Sequence, residues 1–107
     1  MKTLSIGIAG LGTVAQGVLT LLASNRALIE QRSGVSVNVV RVASRSAKPE
    51  VDLHGADFST DVMELLSDPR VDVIVELIGG ETLAKELIVA ALNNGKAVVT
   101  ANKAVIA

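Results

Sequence analysis

Apolar residues along the chain repeat with two periods, and the switches between them lay out the elements. A short apolar run at 4–9, closed by Gly10, predicts a first strand. From Thr13 the spacing becomes helical, with Val14, Val18, Leu21, Leu22, Leu28 and Ile29 on one face. Asn25 and Arg26 interrupt that face and mark a kink or a cap, and Ser33-Gly34 ends the helix. Residues 35–43 are rich in β-branched side chains and predict a second strand. The segment 44–55 is polar, carries Pro49 and has no period, so it is expected as a mobile loop. A short third strand at 56–58 leads to a helix capped by Ser59 or Thr60. Asp61 and Glu64 fall at its positive end, and Val62, Leu65 and Leu66 form its apolar face. Asp68-Pro69 stops it. Residues 71–78 read as a nearly continuous apolar strand, and Gly79-Gly80 turns the chain. Ala84, Leu87, Ile88, Ala91 and Leu92 mark another helix, with Asn93-Asn94-Gly95 as its left-handed cap. The last strand is expected at 96–100.

Strands thus alternate with helices roughly every 25 to 30 residues, the spacing of βαβ units. Right-handed crossovers make such a sheet parallel, so the expected fold class is α/β with a doubly wound parallel sheet. Composition agrees. The 107 residues suffice for one domain, half of them are hydrophobic, and Phe58 is the only aromatic. An aliphatic core of this kind suits a parallel sheet covered on both faces. A net charge of −1 argues against nucleic-acid or membrane-surface partners. No apolar run reaches the roughly 18 residues needed to span a bilayer. There is no cysteine, no metal-ligand spacing appears around the lone His54, and a cytoplasmic protein is expected. The closing run Ala104-Val105-Ile106-Ala107 is apolar and carries no stop signal, which leads us to expect a piece of a longer chain.

The chemistry is concentrated in four places. In Gly10-x-Gly12-x-x-Ala15, Gly10 suits a tight turn, Gly12 lets a pyrophosphate approach the backbone, and Ala15 lets helix and strand lie close. The helix N-terminus behind it offers N–H donors to phosphate. With a strand before and a helix after, the motif predicts a Rossmann-type NAD(P)-binding domain over residues 1–107. The second place is the end of strand two. An acid there would hold the ribose 2′-hydroxyl of NAD, but this chain has Ser44-Arg45-Ser46 and then Lys48. Either Arg45 clamps a 2′-phosphate, giving NADP preference over NAD, or Arg45 and Lys48 are solvated loop charges. Third, Glu76 stands in an apolar strand just before Gly79-Gly80. It is either a buried carboxylate with a partner or a residue at the strand mouth meeting water. Fourth, Thr100-Ala101-Asn102-Lys103 sets polar groups after the last strand. Lys103 can polarise a carbonyl or hold an anion, or else be a loop lysine.

With those motifs placed, the chain resembles homoserine dehydrogenase over nearly its whole length. The resemblance rests on Gly10-Leu11-Gly12-Thr13-Val14 with Gly17, on Val73 through Gly80, and most specifically on Gly95-Lys96-Ala97-Val98-Val99-Thr100-Ala101-Asn102-Lys103-Ala104. It implies NAD(P)-dependent interconversion of aspartate semialdehyde and homoserine, on the route to threonine and methionine. It implies that Leu11, Gly12, Thr13 and Val14 contact the pyrophosphate and that Arg45 meets a 2′-phosphate. Gly79 and Thr100 would line the nicotinamide side, and Lys103 would stand beside nicotinamide and substrate as the catalytic residue. Further catalytic and dimerisation segments, and a homo-oligomeric full-length protein, are implied as well. Two positions depart from the family pattern. Ala15 replaces the third glycine, and Leu83 stands where a helix-starting proline is usual. Two other functions compete. One is a sugar or polyol oxidoreductase, with which the chain shares Asp68-Pro69-x-Val71-Asp72-Val73 but whose Glu-Lys-Pro it replaces by Asn102-Lys103-Ala104. The other is a non-catalytic module that senses NADP(H).

Overall fold

The computed structural model describes residues 2–78 and 82–100. Five strands and four helices follow one another as β1 (Lys2–Ala9), α1 (Thr13–Ser24), α2 (Arg26–Ser33), β2 (Val35–Ala43), β3 (Asp57–Ser59), α3 (Glu64–Ser67), β4 (Val73–Glu76), α4 (Thr82–Asn93) and β5 (Ala97–Thr100). All strand pairs are parallel and the sheet order is β3-β2-β1-β4-β5. The chain therefore moves outward from β1 to β3, then crosses back to the other side of β1 for β4 and β5. That reversal opens a crevice at the C-terminal ends of β1 and β4.

Two apolar clusters sandwich the sheet. On one face Ile6, Ile8, Leu11, Ala15, Leu19 and Val42 pack under α1. On the other, Val62, Leu65, Val71, Ile74, Leu87 and Ala91 pack under α3 and α4. Burial deepens toward the C-terminal edge: β1 runs from exposed at Lys2 to fully buried at Ile8 and Ala9. Each fully buried leucine or isoleucine contributes about 1.5–3 kcal/mol, so the sheet is held most firmly where its loops emerge.

Most of the expected elements are present, with informative differences. The helix expected from Thr13 is broken at Asn25, whose N–H and side-chain amide both donate to the Leu21 carbonyl at 3.0 Å. The buried stripe of α1 is Ala15 and Leu19, continued by Leu11 in the turn before it, with Val18 half-buried beside them. Val14 and Leu21 are instead about 60% exposed, and Leu28 is exposed too. The expected face was built on large apolar residues, but tight helix–sheet contact selects the small Ala15. Leu92 is likewise exposed on α4, whereas Ala84, Leu87 and Ala91 are fully buried. Neither Ser59 nor Thr60 caps the third helix. Ser59 ends β3 and donates its hydroxyl to Glu64 at 2.6 Å, while the Asp61 carboxylate accepts the Met63 N–H at 2.9 Å. The 44–55 segment is anchored: Val51 and Leu53 pack on the α1-side cluster, and Lys48 reaches the Leu11 carbonyl at 2.8 Å.

A register shift between Ile6 and Gly7 leaves Val40 as an extra residue in β2. Val39 and Val42 belong to the α1-side cluster, whereas Val40 packs on the α3 side. The bulge thereby sends Arg41 to the α3 side as well. There it meets Asp68 at 3.0 Å, Ser59 through a short hydrogen bond, and Glu64.

Candidate functional site

The glycine turn occupies the crevice between the ends of β1 and β4. Gly10 has φ +107° and its N–H donates to the Ala43 carbonyl at 2.7 Å. A Cβ at Gly10 would stand 2.7 Å from the Leu77 carbonyl oxygen, so both conformation and space demand glycine. Gly12 differs. Its φ of −81° suits any residue, and a Cβ there would meet nothing within 4 Å. Packing does not require glycine at 12, and the open space lies where a ligand would approach the backbone. Gly12 is the N-cap of α1, no side chain caps that end, and no acid stands in the first turn. The helix start therefore keeps N–H donors and a positive dipole end for an anion.

Around this turn lies a cleft of about 360 Å³ lined by Gly10, Leu11, Gly12, Ser44, Arg45, Val62, Leu77, Ile78 and Leu83. Leu11, Val62, Leu77, Ile78 and Leu83 give it an apolar side, and among the described residues its charged group is Arg45, exposed on the rim at the end of β2. Among the described residues no carboxylate lines it, and a phosphate-bearing ligand meets a cation and backbone N–H groups there. These features fit a dinucleotide: an anion-binding turn, an apolar slot and a cation beyond the second strand.

Of the expected site residues, Gly10, Leu11, Gly12 and Arg45 come together in the cleft. Thr13 and Val14 follow as the exposed first residues of α1. Thr100 ends β5, two strands from the glycine turn, and its hydroxyl donates to the Glu76 carboxylate at 2.5 Å. Gly79 and Lys103, with Gly80 and Asn102, lie outside the described residues. Glu76 is fully buried, which answers the open reading: it does not meet water. Its other oxygen accepts the Ile78 N–H at 2.6 Å.

Several contributors to the cleft were not foreseen. Val62 and Leu83 were read only as helix residues, yet both line it. For Lys48 the sequence suggests only a solvated loop charge. Lys48 instead shares the Leu11 carbonyl with the Gln16 side-chain amide, which donates at 3.1 Å. Their contacts depend on how distant segments meet, for which local patterning carries no signal. Elsewhere, His54 has φ +51° and stands 3.6 Å from Asp52, away from the glycine turn. Among the described residues no group of three or more His, Cys, Asp or Glu could hold a metal ion, and no helix is long and apolar enough to cross a membrane.

Comparison with known proteins places the same segments in one family. The family model described as homoserine dehydrogenase, NAD binding domain, matches residues 10–107. Homoserine dehydrogenase of Pseudomonas aeruginosa is 45% identical over 107 residues, covering 100% of this chain and 25% of that protein. That of Methylobacillus glycogenes is 44% identical, covering 100% of this chain and 26% of its own length. The crystal structure of a homoserine dehydrogenase from Thiobacillus denitrificans superposes with a TM-score of 0.89 at 42% identity, over 98% of this chain and 25% of that one. The chain thus spans about a quarter of the length of the curated relatives it matches. On fold, on the glycine-turn cleft and on these likenesses together, the chain belongs to the homoserine dehydrogenase NAD-binding-domain family.

Proposed function

We propose that this chain holds NAD(P)H for a homoserine dehydrogenase that interconverts aspartate semialdehyde and homoserine, and that it prefers NADP. The observation that carries the reading is the cleft at the β1–β4 crevice, with Gly12 open to it and Arg45 on its rim. The nicotinamide supplies the hydride chemistry when bound. The chain's own part is to bind and orient. The N–H groups at the start of α1 hold the pyrophosphate, and the Gly10 turn fixes their direction. Leu77, Ile78, Val62 and Leu83 give the slot apolar walls that exclude water. Arg45, with Ser44 beside it, meets the 2′-phosphate. Lys103, Gly79 and Thr100 serve the reactive end, with Lys103 orienting or polarising the substrate carbonyl. Segments outside these 107 residues complete the substrate site and a homo-oligomer, in a cytoplasmic protein of amino-acid biosynthesis. Identity of 45% to a homoserine dehydrogenase favours this substrate over a sugar or polyol.

Arg45→Ala separates the two cofactors. A lost charge-assisted contact of about 1.5–3 kcal/mol weakens NADPH binding by roughly 10- to 100-fold. NADH affinity stays within about twofold, since no 2′-phosphate is there to lose. Calorimetric titration of each cofactor checks this. Equal NADPH and NADH affinity in the unaltered chain, or unchanged NADPH affinity in the variant, would remove the NADP preference. For the activity itself, NADPH oxidation by the longer protein must depend on added aspartate semialdehyde. Cofactor binding without that turnover would point to a sensing module.

A further inference from the structure

We propose that Glu76 is a positioning residue that fixes the end of β5 relative to the glycine turn, and so sets where the nicotinamide end of the cofactor is held relative to its phosphates. The inference rests on the cofactor reading above. Its starting point is a carboxylate with no contact to solvent at the C-terminal edge of the sheet. A buried carboxylate is costly, and an apolar side chain of similar size would cost less if packing alone were needed. What the carboxylate adds is two acceptors aimed at two separate segments. One oxygen takes the Ile78 N–H at 2.6 Å, and the other takes the Thr100 hydroxyl at 2.5 Å.

These bonds lie at the C-terminal end of the described β4–β5 ladder. Among the described residues Glu76 and Thr100 are the last pair between β4 and β5, and Ile78 stands two residues beyond, on the wall of the cleft. The carboxylate therefore adds side-chain bonds to the backbone pairing at this end of the sheet. On its other side the end of β4 is pressed against the glycine turn. The Leu77 N–H donates to the Ala9 carbonyl at 2.8 Å, and the Leu77 carbonyl fills the space a Gly10 side chain would need. The ends of β1, β4 and β5 are thus linked in series, through Gly10–Leu77 on one side and Glu76–Thr100 on the other. Position is passed from the phosphate-binding turn to the strand end that precedes Asn102-Lys103.

The test compares two ligands, NADPH and 2′-phospho-ADP-ribose, which keeps the phosphates and lacks nicotinamide. Binding is measured by calorimetry, with dihydronicotinamide fluorescence as a separate report on that end. Glu76→Leu removes both acceptors and is expected to weaken NADPH by about tenfold, with loss of the bound-state fluorescence change. 2′-phospho-ADP-ribose should stay within about twofold of the unaltered chain. Glu76→Gln keeps an acceptor for Ile78 and an amide that a turned Thr100 hydroxyl can accept from, so it restores most of the NADPH affinity. Thr100→Val removes the hydroxyl that Glu76 accepts from while the Ile78 bond stays, and gives a smaller, nicotinamide-selective loss, which carries the test should Glu76→Leu not fold. Equal weakening of both ligands would make Glu76 a merely structural residue, and unchanged NADPH binding in all variants would also overturn the proposal. Failure of the unaltered chain to bind either ligand would instead sink the cofactor reading on which it rests.

Discussion

Replacing Gly10 by alanine lowers the stability of the chain by about 3 kcal/mol, whereas replacing Gly12 by valine leaves the fold standing and abolishes cofactor binding. The two glycines share a motif and differ in what they meet. At Gly10 the backbone has φ +107°, and a Cβ would lie 2.7 Å from the Leu77 oxygen and 2.9 Å from its carbonyl carbon. Neither neighbour is a flexible side chain that could swing aside. A non-glycine residue in that conformation costs about 1–3 kcal/mol, and the clash adds a comparable amount. At Gly12 the backbone is ordinary and the space is empty. Valine there costs at most about 1 kcal/mol as a poorer N-cap. Its branched side chain nevertheless occupies the approach to the helix N-terminus, and NADPH affinity falls by about a hundredfold or more. Denaturant unfolding and NADPH titration of both variants check the pair. A stable Gly10→Ala chain, or a Gly12→Val chain that binds NADPH normally, would contradict the division.

Removing Asp68 is the second large effect. This acid closes α3 before Pro69, is nearly fully buried and gathers two arginines. Arg70 grips both carboxylate oxygens, at 3.1 Å through Nε and 2.8 Å through a terminal nitrogen, and its backbone N–H adds a bond at 2.9 Å. Arg41, turned to this face by the bulge, adds another at 3.0 Å. The Asp68 main-chain carbonyl and that of Val71 accept from Lys96 at 3.0 and 2.7 Å, tying the start of β4 to that of β5. The Arg70 fork, outweighing the opposing effect of burial, holds the Asp68 carboxyl well below the usual carboxylate range. Asp68→Ala strips Arg41 of its nearer acid, leaving only the more distant Glu64 as an acid partner, and costs about 3 kcal/mol, or roughly 15 °C in Tm. The pH dependence follows from the lowered pKa. The folded chain keeps Asp68 ionised where the unfolded chain, titrating near pH 4, takes up a proton. The stabilisation is therefore fully present above about pH 4 and is lost as pH falls below that toward the folded-state value. Asp68→Asn should lie a constant amount below the unaltered chain from pH 8 to about 5, and the gap should close in acid. A gap that persists unchanged in acid would mean that the charge of Asp68 is not the stabilising element.

Much of this arrangement was legible in the sequence, and the parts that were not share a physical reason. The second strand runs from Val35 to Ala43 as its β-branched composition indicates, and the Gly95 cap has the left-handed φ of +75° its position suggests. Gly10, Gly12 and Arg45 fall in one cleft because a parallel sheet brings its strand ends to one edge, which periodicity alone reveals. Helix faces were harder to assign. In a chain of leucine, valine and alanine, apolar residues cover more than one stripe, and Val14, Leu21 and Leu28 lie outside the buried one. Pairings across strands were out of reach. Glu76 with Thr100, Lys48 with Leu11 and Arg41 with Asp68 depend on strand order, register and a bulge that no local window contains.

The central claim is that NAD(P) binds in the crevice at the glycine turn, and amide NMR of the chain during an NADPH titration addresses it most directly. The account predicts saturable shifts concentrated at the amides of Gly10, Leu11, Gly12, Thr13 and Val14, with Arg45 shifting for NADPH more than for NADH. Shifts concentrated instead at the separate hollow of about 220 Å³ lined by Leu19, Leu53 and His54, or no saturable shift at all, would contradict it.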